Sequence, residues 1–176
     1  KEFHTFRHVL EASSTFLLIA HNRPDADTLG SVAALAFYLE SEGKSVTLAC
    51  GTDVPEEYAH VLHNISIAHS KNLNLTSFDV VIAADSVERG FAQDILPHIN
   101  QDKQITVLLD HHHDISISAD ITIIDSRYSS TCELLGVFFQ ESGIALNQKM
   151  ATALLTGVLG DTGLLQHTNT TQRTLT

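Results

Sequence analysis

A chain of 176 residues, 43% of them hydrophobic, has the apolar content for one folded domain with a proper core and is not a disordered segment. Its 21 acidic residues against 10 basic ones give a formal charge of -11, which excludes a broad basic face of the kind that grips long duplex nucleic acid. Cys50 and Cys132 make no C-x-x-C pattern, no apolar run approaches a membrane span and no signal peptide is visible, so a reduced, cytoplasmic setting away from membranes is expected.

Phe3, Phe6, Val9 and Leu10 share one face of a short helix over residues 3–12. Residues 16–20 are a continuous apolar run and read as a buried strand, followed at once by His21, Arg23, Pro24, Asp25 and Asp27. Leu29, Val32, Ala33, Ala36 and Leu39 then recur at helical spacing, and Gly43 ends that helix. A second strand covers 45–49, and a short helix covers 55–63. Residues 79–85 form a third strand with a carboxylate, Asp85, at its end. A helix over 91–99, interrupted by Pro97, leads to a strand over 105–110 that runs straight into His111, His112 and His113. A short strand follows at 121–124. Ser130 and Glu133 make a capping-box pattern before Leu134, Leu135, Val137 and Phe138. An apolar helix over 148–159 stops at Gly160, Asp161, Thr162 and Gly163. Apolar strands alternating with helices predict an α/β fold, a mostly parallel sheet with helices on both faces. The chain starts at Lys1 and ends at Thr176 in mid-pattern, which reads as one domain of a longer protein.

In such a sheet, ligands gather beyond the carboxyl ends of the strands. His21, Asp25, Asp27, Asp85, Asp110, His111 and His112 all fall there, and Asp161 joins them as a further candidate. Asp25 and Asp27, two apart in extended backbone, share one side and repel each other unless a cation lies between them. A nitrogen and oxygen donor set without thiolate suits manganese, magnesium or cobalt better than zinc. Four ligating aspartates balance two divalent ions, the arrangement of centres that hydrolyse phosphate esters. Simpler readings exist for each residue. Asp27 fits the cap of the helix that starts near Thr28, Asp85 fits a strand-end turn, and Asp161 fits a helix stop between glycines. Ser130 and Thr131 either open a capped helix or offer backbone N–H groups to a phosphate. Arg23 and Arg127 either reach an anionic ligand or are ordinary exposed arginines.

Four ordered segments carry a resemblance: residues 21–31, Asp85, Asp110 with His111 and His112, and residues 157–163 with Thr168, Asn169 and Thr170. Together they resemble the catalytic domain of the DHH phosphoesterase family, which includes RecJ-like nucleases and nanoRNase/pAp phosphatases, the latter nearest in wording. The resemblance implies a Rossmann-like domain with two manganese ions, magnesium or cobalt being substitutes. One ion would sit on His21, Asp25 and Asp85, and the other on Asp27, Asp85, His111 and Asp161. Asp85 would bridge them, Asp110 would orient a histidine, and His112 would face the substrate phosphate. The implied substrate is a short oligonucleotide or nucleotide phosphate, held also by Arg23, Ser130 and Thr131. The alternatives are a cyclic-dinucleotide phosphodiesterase and a non-catalytic nucleotide-binding domain. A homodimer is compatible with the family. Its usual second, substrate-gripping domain (DHHA1-type) has no counterpart in residues 1–176, and Ile115 stands where the family has an asparagine.

Overall fold

The computed structural model describes residues 1–63, 65–69, 73–85, 95–113 and 117–176. Its centre is a parallel sheet of β1 (Thr15–Ile19), β2 (Ser45–Cys50), β3 (Ile67–His69), β4 (Val80–Ala84), β5 (Ile105–Asp110) and β6 (Ile121–Ile124), in the order β3-β2-β1-β4-β5-β6. The order reverses between β1 and β4, which pair in parallel with Phe16 opposite Val80 and Ile19 opposite Ala83. That reversal leaves a crevice at the carboxyl ends of these two strands.

Strand alternation divides the core. Phe16, Leu18, Val80, Ile82, Val107 and Leu109 enter one cluster, and Leu17, Ile19, Val81, Ala83 and Leu108 the other. The first cluster receives α1 (Glu2–Ala12), α2 (Ala26–Ser41), α3 (Ala59–Leu62), α4 (Thr131–Glu141) and α5 (Gln148–Asp161). The second is covered by Ile95, Ile99 and partly buried Leu73, Leu75, Phe78 and Ile117, with short 3-10 turns at Leu75–Ser77 and Leu96–His98. Residues 91–94 of the helix expected over 91–99 lie outside the described residues, and Pro97 stands at the start of the 3-10 turn.

The buried stretch of α2 runs from Ala26 to Leu39, because the helix is wedged between the sheet and α5. Small residues make that possible. A Cβ on Gly30 would stand 2.5 Å from the carbonyl oxygen of Ala153 and 2.8 Å from Cys132 Sγ. Gly43, at φ 74, turns the chain out of α2 toward β2, as its position predicts. Three details differ from the sequence reading. The edge strand β3 is only three residues long, too short to show a period. α5 continues two residues beyond 159, so Asp161 is its last residue. The cap of α2 is Asp25, whose carboxylate accepts from the N–H of Thr28, while Asp27 lies inside the first turn.

Candidate metal centre

Among the described residues, three side-chain groups at the crevice could each hold a cation: His21, Asp25 and Asp85; Asp27, His111 and Asp161; and Asp85, His111 and His112. Within each group the donor atoms lie within 4.8 Å of one another. Asp85 belongs to two of the groups, as does His111. His21, Asp25, Asp27, Asp85, His111, His112 and Asp161, scattered along the sequence, thus come together in these groups.

The loop after β1 delivers the first group. His21 is 3% exposed, and its Nε2 faces Asp25 Oδ2 at 3.4 Å. Its Nδ1 accepts from the N–H of Arg23 at 3.0 Å, so the neutral ring carries its proton on Nε2. A cation held through Nε2 would require the other tautomer, with the proton on Nδ1. Asp25 Oδ1 accepts from Thr28 N at 3.0 Å, and Thr28 Oγ1 lies 3.1 Å from the same oxygen. Burial opposes ionisation of Asp25, but the hydrogen bonds from His21 and Thr28 outweigh it and hold the carboxyl at about 2.

Asp85 follows β4 directly, with its N–H on the carbonyl of Leu109. Its φ of 52 lies in the left-handed region, which aspartate tolerates better than most residues. The carboxylate is buried, with Oδ2 2.7 Å from Thr28 Oγ1 and Oδ1 3.5 Å from Thr131 Oγ1. Burial, and next the charge on Asp27, push its pKa well above the ordinary range.

Asp27 is 1% exposed and is held from across the fold. Thr131 N donates to its Oδ2 at 2.7 Å and Cys132 N to its Oδ1 at 2.9 Å. These are free N–H groups of the first turn of α4, whose dipole favours a carboxylate there. Burial, then repulsion from Asp161, still raise Asp27 to about 6. Ser130 is fully buried and caps α4, accepting from Glu133 N. The N–H of Thr131, expected to be available to a substrate phosphate, is thus taken by Asp27.

His111 faces Asp161 Oδ2 at 3.1 Å and Asp27 Oδ2 and Asp85 Oδ1 at 3.9 Å each. Its Nε2 is buried yet has no hydrogen bond of acceptable angle. Burial lowers its pKa, but the surrounding carboxylates outweigh this and raise it. A buried imidazole nitrogen without a proper hydrogen bond, ringed by three carboxylates, is a donor set suited to a divalent cation. His112 is more exposed. Asp110 Oδ1 accepts from its N–H at 2.9 Å and meets its Nδ1 at 2.7 Å. That hydrogen bond, opposed by burial, raises the pKa of His112. Arg23 is exposed on the first loop, and Arg127 pairs with Asp125 at 2.6 Å instead of turning to the crevice group.

Sequence reading overlooked Thr28, which is fully buried and touches both Asp25 and Asp85. It is also silent on the seat of Asp27, whose partners lie more than a hundred residues away.

The parallel sheet, its reversal point and the paired aspartate and histidine groups define an α/β protein with a candidate carboxylate-imidazole cation centre at the strand ends. Residues 15–158 match the DHH family, N-terminal domain, and the chain belongs to that family. It is 28% identical over 165 residues to the bifunctional oligoribonuclease and PAP phosphatase NrnA of Bacillus subtilis, covering 92% of this chain and 50% of that one. Its fold matches that of an exopolyphosphatase-related protein from Bacteroides fragilis with a TM-score of 0.82 at 22% identity, covering 97% of this chain and 53% of the other. RecJ from Thermus thermophilus, solved in complex with Mn2+, matches with a TM-score of 0.58 at 16% identity over 92% of this chain and 24% of its own. The chain spans about half the length of the curated relatives it matches. No helix among the described residues is long and apolar enough to cross a membrane.

Proposed function

We propose that this chain is the metal-binding half of a phosphoesterase that hydrolyses phosphate esters of short oligonucleotides or nucleotide phosphates. The carrying observation is that Asp85 belongs to two of the candidate cation groups while the Nε2 of His111 is buried without a proper hydrogen bond. In this reading His21, Asp25 and Asp85 hold one ion, and Asp27, Asp85, His111 and Asp161 hold a second, with Asp85 shared. Manganese is the preferred ion: the oxygen and nitrogen donors suit it, and the Thermus RecJ was solved with it. Bound divalent ions supply charge that neutralises phosphoryl oxygens and lowers the pKa of water.

The chain's own groups do the rest. Asp110 anchors the His112 Nδ1, leaving Nε2 for the substrate. We assign His112 to charge stabilisation at the phosphate and Arg23 to a second phosphate contact. The name of the Bacillus relative supports the substrate class. Thr131 and Ser130 act here by seating Asp27 and α4: the Thr131 N–H goes to Asp27, and the Ser130 hydroxyl oxygen accepts from the N–H of Glu133.

The test uses the full-length protein with Mn2+ and compares pAp, dinucleotides, cyclic dinucleotides and pyrophosphate. Fastest turnover of pAp or dinucleotides is the expected result. Tight nucleotide binding without turnover of any of the four would overturn it in favour of a binding domain.

A further inference from the structure

After α5 the chain turns back across the start of α4. Asn169, on this return, donates through Nδ2 to the carbonyl of Ser129 at 2.9 Å and to the carbonyl of Asp161 at 3.2 Å. Two carbonyl acceptors on one amino group settle how the amide faces, since the flipped amide would set its oxygen against both. The Asp161 carbonyl belongs to the last turn of α5, where carbonyls lack helical partners; His167 Nδ1 also approaches it at 3.2 Å.

The two carbonyls belong to the two arms of one candidate cation group. Ser129 leads into Thr131 and Cys132, whose N–H groups hold Asp27. Its own N–H is fixed by Glu133 Oε2 at 2.6 Å, so the segment is clamped on both sides of Ser129. Asp161 carries the carboxylate that lies 3.1 Å from His111. Asp27 and Asp161 therefore approach the same imidazole from separate chain segments, and the side chain of Asn169 joins the segment that seats Asp27, at the start of α4, to the one that carries Asp161.

We propose that Asn169 is a positioning residue of the cation centre: by tying the start of α4 to the end of α5 it sets how Asp27 and Asp161 face each other across His111. This rests on reading Asp27, His111 and Asp161 as a cation site. A side chain that merely closes a helix end would support stability alone. A positioning residue supports the affinity of the ion held by those three groups, and leaves the ion held by His21 and Asp25 less affected.

The experiment measures Mn2+ binding to the full-length protein by calorimetry, with the melting temperature of the metal-free protein measured in parallel. Asn169→Ala removes the amide, and Asn169→Leu keeps its bulk without donors; if one variant fails to fold, the other carries the test. The wild type is expected to show two binding events. In the variants one of them weakens about 10–100-fold, the range for groups that orient metal ligands, while the other is retained. Two unchanged events, or equal weakening of both, would overturn the role of Asn169 while leaving the cation site standing. A wild type that binds no Mn2+ would overturn both readings together.

Discussion

Asp27 and Thr131 are 104 positions apart in the chain and joined by a 2.7 Å hydrogen bond from the Thr131 N–H. With the neighbouring bond from Cys132, it sets a buried carboxylate on the start of α4, facing the imidazole of His111. The sites on α2 and α4 are thus one unit, and α5 must pack closely enough to bring Asp161 to it.

Gly157 permits that approach. A Cβ there would stand 2.9 Å from Asp27 Oδ1 and would also overlap Cys132 Sγ. Both neighbours are fixed, one by two N–H groups and the other by full burial. Gly157→Ala is therefore expected to destabilise the metal-free protein by about 1–3 kcal/mol, despite alanine's better helix propensity. Adding Cys132→Ala should recover part of that loss, giving a coupling between the two sites in urea denaturation. Simple additivity would show that the two side chains do not compete for space.

The electrostatics predict how metal acts on stability. Burial, then Asp161, raise the Asp27 carboxyl from 3.8 to about 6. Between roughly pH 4 and 6 the folded chain holds a proton that the unfolded chain has released, so metal-free stability falls as pH rises through that window. Asp85, raised further by burial and by Asp27, adds to the same trend. A cation takes the place of those protons. Each bound Mn2+, at about a hundred times its Kd, contributes about 2.7 kcal/mol, or a melting shift of about 5–11 °C per ion for a domain of this size. The shift should be larger at about pH 7.5 than at about pH 5. A shift that shrinks with pH in calorimetric scans would refute this.

Asp85 offers a test in which stability and activity move in opposite directions. Asparagine accepts its φ of 52, whereas alanine adds strain of about 1–2 kcal/mol there. Asp85→Asn removes one buried carboxylate from a crowded group and should raise metal-free stability by on the order of 1 kcal/mol. It should also cancel the Mn2+ melting shift and lower phosphate-ester turnover by at least about 100-fold, more than loss of a merely orienting partner. Wild-type turnover in this variant would exclude a shared ligand at position 85.

Much of this arrangement is legible in the sequence because strand ends declare themselves. The apolar runs stop at His21, Asp85 and Asp110, and an α/β sheet puts all such ends on one rim. The rest is carried by contacts with no local period. Read from the sequence, the helix cap falls to Asp27, and only the fold gives it to Asp25 and sends Asp27 to α4. Thr28 has an ordinary place in a helical first turn, and its hydroxyl matters because β4 brings Asp85 beside it. The capping box at Ser130 and Glu133 is half right: Ser130 caps, but the Glu133 carboxylate goes to the N–H of Ser129 and to Arg173, forty positions on.

That last contact yields a pH prediction of the opposite sign. The Glu133 carboxylate accepts from Ser129 N at 2.6 Å, Arg173 Nε at 2.8 Å and Thr174 Oγ1 at 3.3 Å. Arg173 also lies over the ring of Tyr128 at 4.0 Å and donates to the carbonyl of Arg127. Burial opposes ionisation of Glu133, but the bonds from Ser129 and Arg173 outweigh it and hold its pKa below the usual 4.5. A depressed folded value means that the stability is fully present above the unfolded pKa and is lost as pH falls through the folded one. Arg173 is partly exposed, so its share is screened and comes to no more than about 1 kcal/mol. Arg173→Met keeps the stem over Tyr128 but removes the charge, and the carboxyl of Glu133 should then titrate at a higher pH. Acid unfolding of the variant should begin at higher pH than in the wild type, with the difference vanishing in a Glu133→Gln background. Identical acid transitions in both proteins would show that the C-terminal return adds nothing to the seat of α4.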